Sequence, residues 1–146
     1  MEKLNRILEF EKQFSSIDLS LKLKDLGASQ ETCFMWVLNK PDHPCAGWSI
    51  FANSLVSQKL SWEDKCSAYS CAELLELLPY KIKYDDDNIV LTSDFYHDKK
   101  RIMYIYDIEE GYTPVFEETD TSEANARAKL LITLIESKLM EIPNVD

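Results

Sequence analysis

Ser70-Cys71-Ala72-Glu73-Leu74-Leu75-Glu76-Leu77-Leu78-Pro79 carries its own start signal, apolar payload and stop signal. Ser70 and Glu73 have the spacing of a capping box, in which each side chain satisfies a backbone N–H of the first helical turn. Tyr69 before the cap and Leu74 at the fourth helical position are placed as a hydrophobic staple. Leu74, Leu75, Leu77 and Leu78 form a wide apolar face, and Glu73 and Glu76 are left for water. Pro79 lacks an N–H and disfavours helical geometry at Leu78, so the helix ends there. Barely two turns of helix do not hold together alone in water. This helix must pack on something, and the strands after it are the nearest surface.

Past Pro79 the apolar period switches to two. Ile89, Leu91 and Phe95 share one parity of 88–95, and Ile102, Tyr104 and Tyr106 share one face of 101–107. Tyr112, Pro114 and Phe116 continue the pattern in 112–117. The connections His97-Asp98-Lys99-Lys100 and Glu109-Glu110-Gly111 are short and polar, so the strands read as an antiparallel meander with no room for crossover helices. Thr119-Asp120-Thr121-Ser122-Glu123 offers caps and an acidic first turn to a long final helix, from about Ser122 to Leu139. Its stripe is Ala124, Ala128, Leu131, Ile135 and Leu139, widened by Leu130 and Leu134. The short helix and the final helix are expected to cover one face of the meander.

Upstream, residues 2–14 predict an extra N-terminal helix with Leu4, Ile7, Leu8 and Phe14 on one side. Ser15-Ser16 breaks that pattern and offers a cap to a second helix, Ile17 to Leu26, which Gly27 ends. Thr32 to Leu38 reads as a strand, and Trp48 to Phe51 pairs back on it across the turn Asn39 to Pro44. Residues 52–68 read as loop with a helical turn. The expectation is a single α+β domain over residues 1–146. It consists of an antiparallel β-meander with an additional N-terminal strand or hairpin, covered by a short central helix and a long C-terminal helix.

The 146 residues carry a net charge of −10, and its distribution is uneven. Residues 85–126 hold 12 acidic and 3 basic side chains, whereas residues 1–84 hold 11 and 10. Direct nucleic-acid binding needs clustered Lys and Arg, so this balance argues against it. No apolar run approaches membrane-spanning length, and the N-terminus reads as a mixed amphipathic segment rather than a signal peptide. Four cysteines without an export signal predict reduced thiols in a cytoplasm.

Motifs for chemistry are sparse. Gly27, Gly47 and Gly111 are too far apart for a phosphate-binding loop. Cys33, His43, Cys45, Cys66 and Cys71 match no zinc spacing, so neither a metal nor a cofactor is expected. Cys71 sits at a helix N-terminus, which can lower a thiol pKa, but no base adjoins it in sequence. Asp85-Asp86-Asp87-Asn88 lacks the glycine and terminal glutamate of a calcium loop and reads as a solvated turn opening a strand. Among the aromatics, Trp36 and the strand tyrosines Tyr104, Tyr106 and Tyr112 read as core, and Trp48 and Trp62 as interaction candidates.

Three segments carry a resemblance. They are Ser20-Leu21-Lys22-Leu23-Lys24-Asp25-Leu26-Gly27 running into Gln30 to Val37, Ser67 to Pro79, and Ser122 to Glu136. Together, over about residues 16–139, the chain is similar to a set of small uncharacterised bacteriophage, prophage and mobile-element proteins. It departs from their pattern at Thr32-Cys33, where serine precedes the strand, and at Cys71, where proline or threonine is commoner. The resemblance implies a cytoplasmic protein of a bacterial host and no activity, because the shared residues are caps, core leucines and a proline.

The leading expectation is thus a non-catalytic, acidic protein-binding module. Its partner surface would comprise Asp94, Asp98, Asp107, Glu109, Glu110 and Trp48, and its partner would be a basic protein. In its sharpest form it is a DNA-mimicking inhibitor. One alternative is a small-molecule or metal-dependent enzyme using the meander carboxylates with His97, which requires them to converge in a pocket. Another is a homo-oligomeric structural protein.

Overall fold

A computed structural model describes residues 2–44, 46–107 and 113–142. Helices α1 (Glu2–Glu11) and α2 (Ile17–Asp25) lead into strands β1 (Phe34–Asn39), β2 (Gly47–Ala52) and β3 (Lys65–Ala68). Helix α3 (Cys71–Leu77) follows, then β4 (Lys81–Tyr84), β5 (Asp87–Tyr96), β6 (Lys99–Tyr106) and β7 (Pro114–Asp120). Helix α4 (Glu123–Glu136) comes last. The strands form two antiparallel sheets, ordered β2-β1-β3 and β4-β5-β6-β7. The α+β meander expectation therefore holds, with two strands added. The 52–68 stretch contains β3 beside two short 3-10 turns, and a separate β4 precedes the long meander strands.

The local chemistry of α3 is as the sequence demands. The Ser70 hydroxyl accepts from the Glu73 N–H at 3.2 Å, and the Glu73 carboxylate accepts from the Ser70 N–H at 3.1 Å. Leu74 and Leu78 sit in the main core with Leu23, Ile82, Ile89, Ile102 and Tyr104. The Tyr104 hydroxyl donates to the Pro79 carbonyl at 2.6 Å, which ties the end of α3 to the middle of the sheet.

Helix α4 ends three residues before Leu139. Lys138 takes a left-handed conformation (φ 58°), and the Leu139 N–H reaches back to the Leu134 carbonyl at 3.0 Å. Its buried set adds Ala126 and Ile132 to Ala124, Ala128, Leu130, Leu131 and Leu134 and goes round much of the helix, while Ile135 and Leu139 of the expected stripe are half-buried. α2, α3 and the larger sheet all pack against it, so it is an interior helix rather than a one-sided cover.

Helix α1 departs most from expectation. It stops at Glu11 and buries none of its residues, so Leu4, Ile7 and Leu8 stay exposed. It is anchored by the cluster of Phe10, Phe14 and Phe34, with ring centroids 5.1–5.6 Å apart. Ser15, read as a break, is a fully buried polar hub. Its hydroxyl meets the Ser20 hydroxyl at 2.7 Å and accepts from the Tyr69 N–H at 3.1 Å. Its carbonyl accepts from the Trp36 indole N–H at 3.0 Å. This one residue joins the α1–α2 corner, the smaller sheet and the approach to α3.

Candidate functional site

The hairpins decide where the carboxylates go. Both two-residue turns of the meander lack glycine. Asp85 and Asp86 (φ 51° and 67°) turn β4 into β5, and His97 and Asp98 (φ 48° and 61°) turn β5 into β6. Positive φ at both central residues is the turn that matches strand twist, and Asp and His are among the few non-glycine residues that tolerate it. These turns lie at opposite ends of β5. Asp98 and Asp107 flank the eight-residue β6, so they lie about 30 Å apart at strand rise.

Asp94, Asp98, Asp107 and Trp48 therefore do not form one surface. Asp94 is engaged by Arg101, whose Nε and Nη2 donate to its two carboxylate oxygens at 2.8 and 2.5 Å. Those hydrogen bonds hold the Asp94 carboxyl below the usual carboxylate range. Asp98 sits on the adjacent tip. Trp48 belongs to the other sheet, half-buried against the smaller core of Phe14, Trp36, Cys66 and Ala68. Glu109 and Glu110 lie outside the described residues, as do Cys45 and Tyr112.

The far end of the sheet is different. There Asp107 donates its N–H to the Asn88 carbonyl, so it lies beside Asp85, Asp86 and Asp87 of the neighbouring turn. All four side chains are exposed. Lys81 approaches Asp107 at 3.8 Å, and Lys83 is the other ammonium on β4. The three bases of the acidic 85–126 stretch, Lys99, Lys100 and Arg101, all lie at the opposite end, on β6. Glu117, Asp120 and Glu123 are met by Arg101, Lys129, Lys100 and Arg127. Four carboxylates against two ammonium groups thus leave a net negative charge at the Asp85–Asp87 and Asp107 end. Sequence reasoning read Asp85–Asp87 correctly as a turn but had no means of setting Asp107 beside it.

Among the described residues the cysteines do not assemble. Cys33 precedes the six-residue β1, about 20 Å long at strand rise, and His43 lies in the turn beyond its far end. Among the described residues, no group of three metal-ligating side chains could hold an ion. Cys66 is fully buried, and burial pushes its thiol up to about 11. The Cys71 thiol is also raised, by burial first and then by the Glu123 carboxylate, so the helix N-terminus does not activate it. Trp36 and Tyr104 are core, as expected, and Tyr106 packs against the core. Trp62 is exposed beneath the Lys24 ammonium, 4.5 Å from its ring centre.

One aromatic was misplaced. Phe95 shares the parity of Ile89 and Leu91 but is 74% exposed, because the covering helices do not reach it. Tyr96 next to it and Tyr80, opposite Leu91, are also exposed, at 52% and 71%. No helix of the described residues is long and apolar enough to cross a membrane. No protein-family model, curated protein or solved structure matches the chain.

Proposed function

We propose that the protein is a non-catalytic protein-binding module of phage or mobile-element origin. It meets a basic surface on a partner protein through the Asp85–Asp87 and Asp107 end of its larger sheet. The reading is carried by the uneven charge of the larger sheet, with Lys99, Lys100 and Arg101 near one end and four exposed carboxylates against Lys81 and Lys83 at the other. Such a surface steers a basic partner and fixes its orientation. A carboxylate-and-His97 active site is disfavoured by the same geometry, since His97 and Asp107 flank opposite ends of β6.

The test compares the wild-type chain with the triple variant D85N/D86N/D87N in nuclease-treated bacterial lysate. Asparagine tolerates the left-handed turn, so the variant loses charge without losing the hairpin. The expected result is a stoichiometric basic protein retained at low salt, released at 1 M salt and not held by the variant. Equal capture by both chains, or capture of nothing by the wild type, overturns the proposal.

A further inference from the structure

Strand β4 pairs only with the first part of β5, from Asp87 to Val90. One further bond, from the Leu91 N–H to the Tyr80 carbonyl at 2.9 Å, closes that ladder. Beyond it, among the described residues, Thr92 to Tyr96 pair with β6 on one side and with no strand on the other. Backbone direction alternates along a strand, so Ser93 and Phe95, like Leu91, turn their N–H and C=O groups away from β6. The opening is bounded. Pro79, whose carbonyl is held to the sheet by the Tyr104 hydroxyl, and Tyr80 bring the chain down beside Leu91 and close one end. The His97–Asp98 turn closes the other. What remains has room for a few residues of extended chain and not for a long seam.

Ser93 also lines a groove of about 180 Å³ with Leu75, Leu78, Tyr80, Leu91 and Arg127. Leu75 and Tyr80 are exposed there, as is Phe95 next along the strand. The charge beside this groove is positive, against the sign of the chain as a whole. The Glu123 carboxylate meets the Arg127 guanidinium at 2.8 Å and the Lys100 ammonium at 3.7 Å, so two cations share one carboxylate. The α3 carboxylates Glu73 and Glu76 line a separate hollow with Tyr69 and Thr32. Asp94 projects from the opposite face of β5 to Ser93 and is bound by Arg101. A small basic spot thus lies where the open edge meets an apolar groove.

We infer that this edge binds the C-terminal end of a partner polypeptide, as one short antiparallel strand whose last residue is apolar and carries a free carboxylate. That last residue pairs with Ser93, and the residue two before it pairs with Phe95. Each pair exchanges two backbone hydrogen bonds. The stop at Pro79 and Tyr80 selects a chain end, because a strand that continued in this direction would run into them. The cations select the direction. The terminal carboxylate accepts from the Ser93 N–H and is favoured by Arg127 and Lys100, whereas a reversed peptide would set its ammonium in the same place. The last side chain lies on the face of Ser93 and so enters the groove. Phe95 keeps its ring beneath the Lys100 ammonium, 4.4 Å from the ring centre, so no aromatic of this chain has to move. The contact consists of a few backbone bonds, one apolar anchor and one charge interaction, so it is weak and its specificity comes from the chain end. It lies toward the opposite end of β5 from Asp85–Asp87 and is a separate site from the acidic end.

The probe is the synthetic peptide acetyl-Ser-Thr-Val-Thr-Leu with a free C-terminal carboxylate, titrated to millimolar into the isotope-labelled full chain and followed by amide chemical shifts. Shifts are expected at Ser93 and Phe95 and not at Asp85–Asp87. The same peptide as its C-terminal amide is expected to bind at least tenfold more weakly. So is the peptide with an N-methylated leucine, which loses the donor to the Ser93 carbonyl. These changes lie in the probe and leave the fold untouched. In the protein, Ser93→Pro removes an N–H that faces away from β6, and it is expected to abolish binding while circular dichroism stays that of the wild type. No shift at millimolar peptide, equal binding of acid and amide, undiminished binding of the N-methylated peptide, or shifts confined to residues away from the β5 edge overturns the inference. None of these results bears on capture by the acidic end, which D85N/D86N/D87N reports separately.

Discussion

Replacing Ser15 by alanine tests the claim that one buried hydroxyl joins the two halves of the fold. In the wild type that hydroxyl accepts from the Tyr69 N–H and pairs with the Ser20 hydroxyl. The substitution leaves the Tyr69 N–H buried with no acceptor, and a buried unsatisfied donor costs about 1–3 kcal/mol. Ser20 loses less, because its hydroxyl keeps the Ser15 carbonyl at 3.2 Å. The expected cost is thus about 2 kcal/mol, or about 4–8 °C in Tm for a chain of this size. Ser20→Ala spares both the Tyr69 N–H and the Trp36 bond to the Ser15 carbonyl, so it should cost less than about 1 kcal/mol. The double variant should resemble Ser15→Ala alone, because the two hydroxyls share one bond. Urea unfolding followed by Trp fluorescence measures all three, with an unchanged m-value as the sign of an intact native state. A Ser20→Ala cost equal to that of Ser15→Ala, or a Ser15→Ala cost below about 0.5 kcal/mol, would refute the hub.

Other outcomes follow from single features. The strained β5–β6 turn should be relieved by His97→Asn with Asp98→Gly, raising stability by about 1 kcal/mol in the same urea assay. Arg101 lowers the Asp94 carboxyl. Burial raises the Asp120 carboxyl, but bonds from Lys129 and the Ser122 N–H outweigh it and leave it lowered. Both depressed groups contribute stability above the unfolded carboxylate value of about 3.9 and lose it as pH falls through their folded values. D94N/D120N should therefore flatten the fall in Tm below about pH 4, without removing other acid sensitivity. Iodoacetamide at pH 8 should alkylate exposed Cys33 and spare Cys66 and Cys71 until the chain unfolds, as peptide mass mapping would show.

What could be read from sequence follows the range of the forces involved. The α3 helix was legible because its cap, staple and stop lie within eleven residues and act locally. Gly27 was legible for the same reason, and its φ of 89° is the left-handed stop expected. The strands β3 and β4 have four residues each, too few to display a period of two. Parity told which face Phe95 occupies but not whether anything covers that face. The α4 stripe was visible, whereas the packing of α2 and α3 on its flanks comes from residues about a hundred and about fifty positions away. Ser15 read as a helix break because its main partner, Tyr69, is 54 residues distant. The −9 stretch was visible as a sum, and only the hairpin geometry divides it into a neutralised end and an acidic one.

The most direct measurement places a photo-crosslinking amino acid at Asn88, beside Asp87 and Asp107, and in a second chain at Lys99, at the opposite end of β5 and β6. Both positions are exposed, so neither should disturb folding. Irradiation in bacterial lysate at low salt should give Asn88 a discrete adduct with a basic protein that 1 M salt abolishes, and give Lys99 no adduct with that protein. Adducts of the same basic protein from Lys99 and not from Asn88 would contradict the account.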